Sequence, residues 1–238
     1  LLAAVAAFDA EQGEWLLALL NHHITDDNYT VQLLLKEVQW LLVGQAERLP
    51  APTPYRNFVA QAGAVSEAEH EAYFRERLGD FEEPTAPFGV LDVHSGSERV
   101  RETRRTLDAP LSRRLRERAR QHGVTPAVLF HVAWAQVLAR CSGRDDVVFG
   151  TVLSGRLQGN EGAEHMVGMF INTLPIRLPV ARYSVAEAVA ETYRRLGELL
   201  THEQASLALA QRSSAVQSPL PLFTALLNYR HTHEADTD

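Results

Sequence analysis

Apolar positions along this chain follow two periods. Val31, Leu34, Leu35, Val38, Leu41 and Leu42 recur at helical spacing, and Gly44 closes the pattern. The helix this predicts over 31–42 has Asp27, Asn28 and Thr30 as eligible N-caps. A polar, aromatic-bearing helix is predicted over 66–78, stopped by Gly79, and a charged one over 111–121, closed by Gly123. Thr125-Pro126 supplies an N-cap and a first-turn proline for a strongly apolar helix over 127–141, ended by Ser142-Gly143. Ser184 with Glu187 three residues on forms a capping box for a helix reaching about His202.

Between these helices lie short runs with strand character. Residues 14–20, bounded by Gly13 and Asn21, read as a buried strand, and 146–153 as a β-branched one. Residues 167–178 form a third run, interrupted by Asn172-Thr173 and Pro175, and 222–229 a final apolar run that could be a strand. Residues 49–54 hold three prolines and read as a linker, 80–97 as a long connection, and 155–162 as a glycine-rich loop. Strands alternating with helices indicate an α/β protein.

Composition narrows the function classes. An apolar fraction of 45% and a charged fraction of 22% are those of a globular protein with a substantial core. The net charge of −7, with no basic cluster interleaved with aromatics, gives no footprint for nucleic acid. The arginines from Arg101 to Arg120 are interrupted by Glu102 and Glu117 and read as a solvated helix face. Cys141 is the single cysteine, so no internal disulfide can form, and a reducing cytoplasm is the expected compartment. The apolar residues at 1–8 lack a basic flank and are too short to span a membrane. The absence of an initiator Met and the abrupt apolar start are those of a piece of something longer.

The segment Asn21-His22-His23-Ile24-Thr25-Asp26-Asp27-Asn28 follows an apolar run and precedes an amphipathic helix. It puts an imidazole on a turn at a strand end, where a group titrating near neutrality can accept, donate or orient a proton. Other chemistries fit less well. Adjacent histidines in a strand point apart and no third ligand sits at a suitable spacing, which disfavours zinc. Gly155, Gly159 and Gly162 match no nucleotide fingerprint, and Ser206, Ser213 and Ser214 lack a nucleophile elbow. Cys141, at a helix C-terminus where the dipole opposes a thiolate, reads as a packing residue.

Several segments in order resemble one family, the condensation domain of nonribosomal peptide synthetases. His22-His23-x-x-x-Asp27 is similar to its His-His-x-x-x-Asp-Gly signature. Asp146-Val147-Val148-Phe149-Gly150-Thr151 with Ser154-Gly155-Arg156 resembles its strand-and-arginine motif. The run from Gly168 through Asn172-Thr173 to Arg177 resembles its Gly-x-Phe-x-Asn-Thr-x-Pro-x-Arg motif. Weaker matches are Tyr73 to Leu78, and His202-Glu203 with Pro221-Leu222-Phe223. The resemblance implies a two-lobed chloramphenicol acetyltransferase-like fold with the substrate tunnel between the lobes. The chain would cover the middle of such a domain: residues 1–53 as the end of the first lobe, 54–238 as linker and most of the second.

The family implies amide bond formation between a donor acyl or peptidyl thioester and an acceptor aminoacyl thioester. Both arrive on phosphopantetheine arms of donor and acceptor carrier proteins, beside an adenylation domain. No metal or bound cofactor, nucleic acid or membrane is implied. Carried over, His23 meets the acceptor amine, either removing its proton or positioning it. His22, Asp27 and Arg156 are structural, with Asp27 and Arg156 paired across the lobes. Asn28, Asn172 and Thr173 are tunnel candidates. Proximity alone can lower such a barrier by several kcal/mol, and a general base contributes ~10²–10⁴-fold. One departure is Asn28 where the signature has Gly, preceded by the additional acid Asp26. Asn tolerates positive φ better than other side chains, so the turn is expected to survive. The side chain at 28 leaves a second reading open, a noncatalytic interface domain that recruits a tailoring enzyme to a carrier protein. An epimerising or dual-function relative is a third. A cyclising relative is disfavoured by His22, where that signature begins with Asp.

Overall fold

The computed structural model describes residues 1–92, 101–156 and 162–230. The 93–97 end of the expected connection and the 157–161 part of the glycine-rich loop lie outside the described residues. By packing, the chain forms two compact units, residues 1–64 with 154–171, and residues 65–153 with 172–238.

In the first unit, β1 (Leu2–Asp9) and β2 (Glu14–Asn21) form an antiparallel hairpin with Leu2 opposite Asn21 and Asp9 opposite Glu14. Asp9 Oδ1 accepts the N–H groups of Glu11 and Gln12 and shapes the turn. Residues 14–21 are a strand as expected, but all eight are exposed, not buried. A two-stranded ribbon has only its own cross-strand pairs, such as Phe8 with Trp15 at 5.4 Å, to shield its side chains. Helix α1 (Asn28–Leu42) is capped by Asp27, whose side chain accepts Thr30 N–H. Among the described residues, 49–55 form no helix or strand, and α2 (Arg56–Ala62), for which no helix was expected, follows. Phe58 of α2, Met166 and Phe170 are buried together, with Tyr55 against them.

The second unit is built on a three-stranded sheet in the order β4-β3-β5. The central strand β3 (Asp146–Leu153) occupies the expected residues and is buried on both faces, in keeping with its predominantly apolar sequence. Antiparallel β4 (Asn172–Pro179) places Leu153 opposite Asn172 and Gly150 opposite Pro175. Proline is tolerated there because Gly150 N–H turns the other way, to Ala225 O, so that pair exchanges no hydrogen bond. The expected run over 167–178 is strand only from Asn172. Parallel β5 is reduced to Leu226–Leu227.

Helices α3 (Glu67–Leu78), α4 (Ala109–Gln121), α5 (Pro126–Ser142), α6 (Val185–Thr201) and α7 (Leu207–Arg212) complete this unit. Ser66 and Ser184 each form the reciprocal capping box with Glu69 and Glu187. Thr125 starts α5 in an extended conformation but makes no side-chain cap bond. Helix α4 buries only Ala119, so its arginines face solvent as expected. The core gathers Phe74 and Leu78 of α3, Leu138 of α5, Val147 to Phe149 of β3, Leu174 and Ile176 of β4, and Leu199 of α6. Arg177 pairs with Asp80 and, at 2.7 Å, with Asp146. Burial works against its charge, but the two carboxylates outweigh it and hold the guanidinium above its ordinary pKa. Among the described residues no single helix is long and apolar enough to cross a membrane.

The two weaker family-like segments meet here. Tyr73 stacks on His202 at 4.1 Å, and His202 Nδ1 lies 3.0 Å from His70 Nδ1. Two facing ring nitrogens can share one proton, one ring donating and the other accepting. Burial pulls His70, His202 and also His131 below the ordinary imidazole pKa, with His70 adding to the effect on His202. Folding must then exclude protons that the unfolded chain would take up. The stability linked to these rings is full above about pH 6.5 and is lost as pH falls toward their folded values. Urea midpoints are expected to decline between about pH 7 and about pH 5. A midpoint constant over that range would contradict this account.

Candidate active site

The strand β2 ends at Asn21, so His22 and His23 sit in the turn before α1 and not within a strand. Both are exposed, while Asp26 and Asp27 behind them are buried. The two imidazoles are held in opposite tautomers. His22 Nδ1 lies 3.1 Å from Ile24 N, which donates, so in the neutral ring the proton is on Nε2. His23 Nδ1 lies 2.7 Å from the carbonyl oxygen of Asp26, which can only accept, so the proton is on Nδ1. In the neutral ring His23 Nε2 therefore carries the free lone pair. That nitrogen can take a proton from, or accept a hydrogen bond from, an amine.

Asp27 holds this turn to a second segment. Its Oδ1 accepts Thr30 N–H at 2.9 Å and its Oδ2 accepts Phe170 N–H at 3.1 Å. Arg156 Nη2 approaches Oδ1 at 3.3 Å, and the two side chains are 9% and 1% exposed. Although 129 positions apart, the partners belong to one compact unit. The other bonds of Arg156 are shorter. Nη1 donates to the carbonyls of Ala163 and Met166 at 2.6 and 2.8 Å, and Nη2 to Thr30 Oγ1 at 2.8 Å. Its guanidinium also lies 3.6 Å from the Phe170 ring centroid and 4.5 Å from that of Tyr29. Burial pulls its pKa down, and Asp27 opposes that shift.

Thr30, expected only as a possible cap, is central. It is 0% exposed. Its hydroxyl donates to Gly168 O at 2.8 Å and accepts from Gly168 N–H at 3.2 Å and from Arg156, which uses the full capacity of a hydroxyl. These bonds occupy the backbone of Gly168 and Phe170, so residues 167–171 cannot join the sheet. Gly155 has φ +67°, and a Cβ there would lie 2.0 Å from Phe170 O. A Cβ on Gly168 would lie 2.2 Å from the Tyr55 ring. Tyr55 in turn donates its hydroxyl to Met169 O, and burial, with the nearby Asp27 charge, raises its pKa. Sequence signals for Thr30 and Tyr55 were weak because the segments they bind are over a hundred residues away.

Asn28 is the first residue of α1 and is exposed. Among the described non-glycine residues only Phe88 has positive φ, so the left-handed conformation expected at 28 is not used. The tunnel candidates Asn172 and Thr173 belong to the other compact unit. Asn172 Nδ2 donates to the carbonyls of Glu203 and Ala205 at 2.8 and 2.7 Å, and its Oδ1 accepts Thr173 N–H at 2.8 Å. Among the described residues no group of three or more His, Cys, Asp or Glu side chains could hold a metal ion.

The family model described as Condensation domain matches residues 1–238. The chain is 48% identical over 228 residues to malpibaldin synthetase of Mortierella alpina, covering 95% of this chain and 4% of that protein. It is 37% identical over 186 residues to surfactin synthase subunit 2 of Bacillus subtilis (strain 168), covering 76% and 5%. It thus spans a small part of these curated relatives. Among solved structures, the first condensation domain of the calcium-dependent antibiotic synthetase, in complex with a substrate analogue, aligns with TM-score 0.69 and 22% identity over 98% of this chain and 53% of that one. The X-domain from teicoplanin biosynthesis aligns with TM-score 0.68 and 19% identity over 94% and 54%. These neighbours have the chloramphenicol acetyltransferase-like fold, of which this chain covers a part. With its signature turn, its buried arginine and a family match along its whole length, this chain belongs to the condensation domain family of nonribosomal peptide synthetases.

Proposed function

We propose that this chain carries the histidine centre of a domain that joins a carrier-bound donor acyl group to a carrier-bound acceptor amine. Residues 1–53 would end its first lobe and 54–238 form most of its second. The observation that carries the reading is the exposed His23 ring with Nδ1–H committed to Asp26 O, which leaves Nε2 as an acceptor. The neutral acceptor amine attacks the donor thioester carbonyl, forming C–N as C–S breaks. Nε2 takes the proton the amine loses and can return it to the departing thiolate. Holding the amine by hydrogen bond to Nε2 before attack is the positioning share of the same contact. His22, Asp27 and Arg156 support the turn, while Asn28, Asn172 and Thr173 are candidates to line the substrate path. Donor and acceptor carrier proteins bring the phosphopantetheine arms, with an adenylation domain nearby in a cytoplasmic synthetase.

The recruiting-platform reading rests on Asn28 in place of Gly. A helical Asn at an exposed first turn needs no strained backbone, which weakens that reading.

In the full-length protein with donor-loaded and acceptor-loaded carriers, intact-protein mass spectrometry is expected to show the amide product. His23→Ala should reduce its rate by ~10²–10⁴-fold without unfolding the protein. Carrier or enzyme binding without any amide in the wild type would favour the platform reading.

Arg156→Ala should cost about 3–5 kcal/mol by leaving Asp27 without its buried countercharge. Thr30→Val, nearly the same shape, should cost about 1–3 kcal/mol through unmet donors and acceptors at Gly168 and Arg156. Denaturant midpoints equal to wild type for both variants would contradict these supporting roles.

A further inference from the structure

The carboxylate of Asp26, unlike its backbone carbonyl, has no part in the roles above, yet the residue is only 5% exposed beside an exposed histidine. Both ends of the residue are engaged. Its Oδ1 accepts Asn21 Nδ2–H at 2.6 Å, and its Oδ2 lies 2.9 Å from Thr25 Oγ1. Asn21 is the last residue of β2, so the carboxylate fastens the turn to the strand end. Thr25 Oγ1 also lies 2.7 Å from His22 O, the carbonyl that accepts Thr25 N–H at 2.9 Å. The backbone carbonyl of Asp26 is the acceptor for His23 Nδ1–H. That carbonyl belongs to the peptide joining Asp26 to Asp27, and Asp27 is pinned from its other side by Thr30 N–H and Phe170 N–H.

We infer that Asp26 is the positioning residue of His23. Its buried carboxylate and the Asp27 anchor hold one peptide plane from both flanks, and the carbonyl of that plane keeps the proton of His23 on Nδ1. A freely turning imidazole divides its proton between two nitrogens and its ring among several rotamers. The clamped ring presents Nε2 in one direction. This inference rests on the proposed use of His23 Nε2 toward the acceptor amine, and it adds which residue makes that nitrogen available. The role is geometric, so an isostere with no charge should serve. In Asp26→Asn, Oδ1 can still accept from Asn21, and Nδ2 can donate to the Thr25 hydroxyl while that hydroxyl donates to His22 O.

The test compares wild type, Asp26→Asn and Asp26→Ala in the full-length protein with both carriers loaded. Asp26→Ala is expected to lower kcat on the order of 10²-fold, as for a slight misplacement of a reacting group, with KM for the loaded acceptor carrier unchanged. The pH profile of kcat/KM should change shape in Asp26→Ala and return to the wild-type shape in Asp26→Asn, whose kcat stays near wild type. If Asp26→Ala does not fold, Asn21→Ala removes the partner of Oδ1 and Thr25→Val removes the hydroxyl that lies against both Oδ2 and His22 O, and each should lower kcat severalfold. Wild-type kcat in Asp26→Ala, or in both of these single variants, overturns the inference. A kcat in Asp26→Asn as low as in Asp26→Ala also overturns it, because charge and not geometry would then matter. Amide formation absent from the wild type itself overturns the reading on which the inference stands, an outcome separate from the others.

Discussion

The first compact unit depends on how a guanidinium is kept out of water. Arg156 is almost fully buried, and a buried charge is tolerated only with partners for its donors. Its shortest bonds run to two backbone carbonyls and a hydroxyl, and its carboxylate partner is the most distant of the four. Neutral acceptors therefore set the geometry, while Asp27 supplies the compensating charge. The arrangement fixes a segment that would otherwise be a loose loop. The carbonyls of Ala163 and Met166 must converge on Nη1, and the Phe170 ring must lie against the guanidinium face. The Nη1 and Nη2 donors each meet particular atoms while the buried Nε–H has no hydrogen-bond partner, so the clasp specifies a conformation more than it adds net stability.

From that clasp the constraint passes to the histidine turn through one short stretch of chain. Asp27 caps α1, binds Phe170 N–H and faces Arg156, so its backbone has little freedom. The peptide before it ends in the carbonyl that holds His23 Nδ1. An exposed ring on a surface turn would normally sample several orientations. Here the burial is placed one step behind the ring, which leaves His23 exposed while its tautomer is fixed by residues that are not.

Local signals in the sequence were legible wherever the responsible contacts are local. Ser66 with Glu69 and Ser184 with Glu187 are complete capping boxes within four residues, and each marks its helix start. The β-branched, largely apolar run of β3 and the Gly143 stop of α5 were equally direct. The family-like motifs also picked out His23, Asp27 and Arg156, which the structure gathers in one unit. What was not legible depends on distant partners. Residues 167–171 look like strand by composition, but Thr30 and Asp27 take their backbone groups. Burial of residues 14–20 was inferred from apolarity alone, and apolarity does not say which surface will cover a strand. Thr30 is an ordinary first-turn residue until Gly168 and Arg156 arrive from the far end of the sequence.

Asn28 is where the motif and the physics diverge. Glycine in a signature suggests a conformation or an approach that a side chain would prevent, and a replacement there suggests a function lost. Yet residue 28 has ordinary helical geometry and its side chain is exposed at the first turn of α1. The backbone therefore places no demand at 28 that Asn fails to meet. Any effect of the substitution must come from the volume and polarity of the side chain toward an incoming group. A recruiting surface would have no use for a clamped imidazole tautomer, since docking reads shape and charge. Proton transfer at Nε2 would require it, and the bonds that enforce it are made by Asp26 and Asp27, none of them by the side chain at 28.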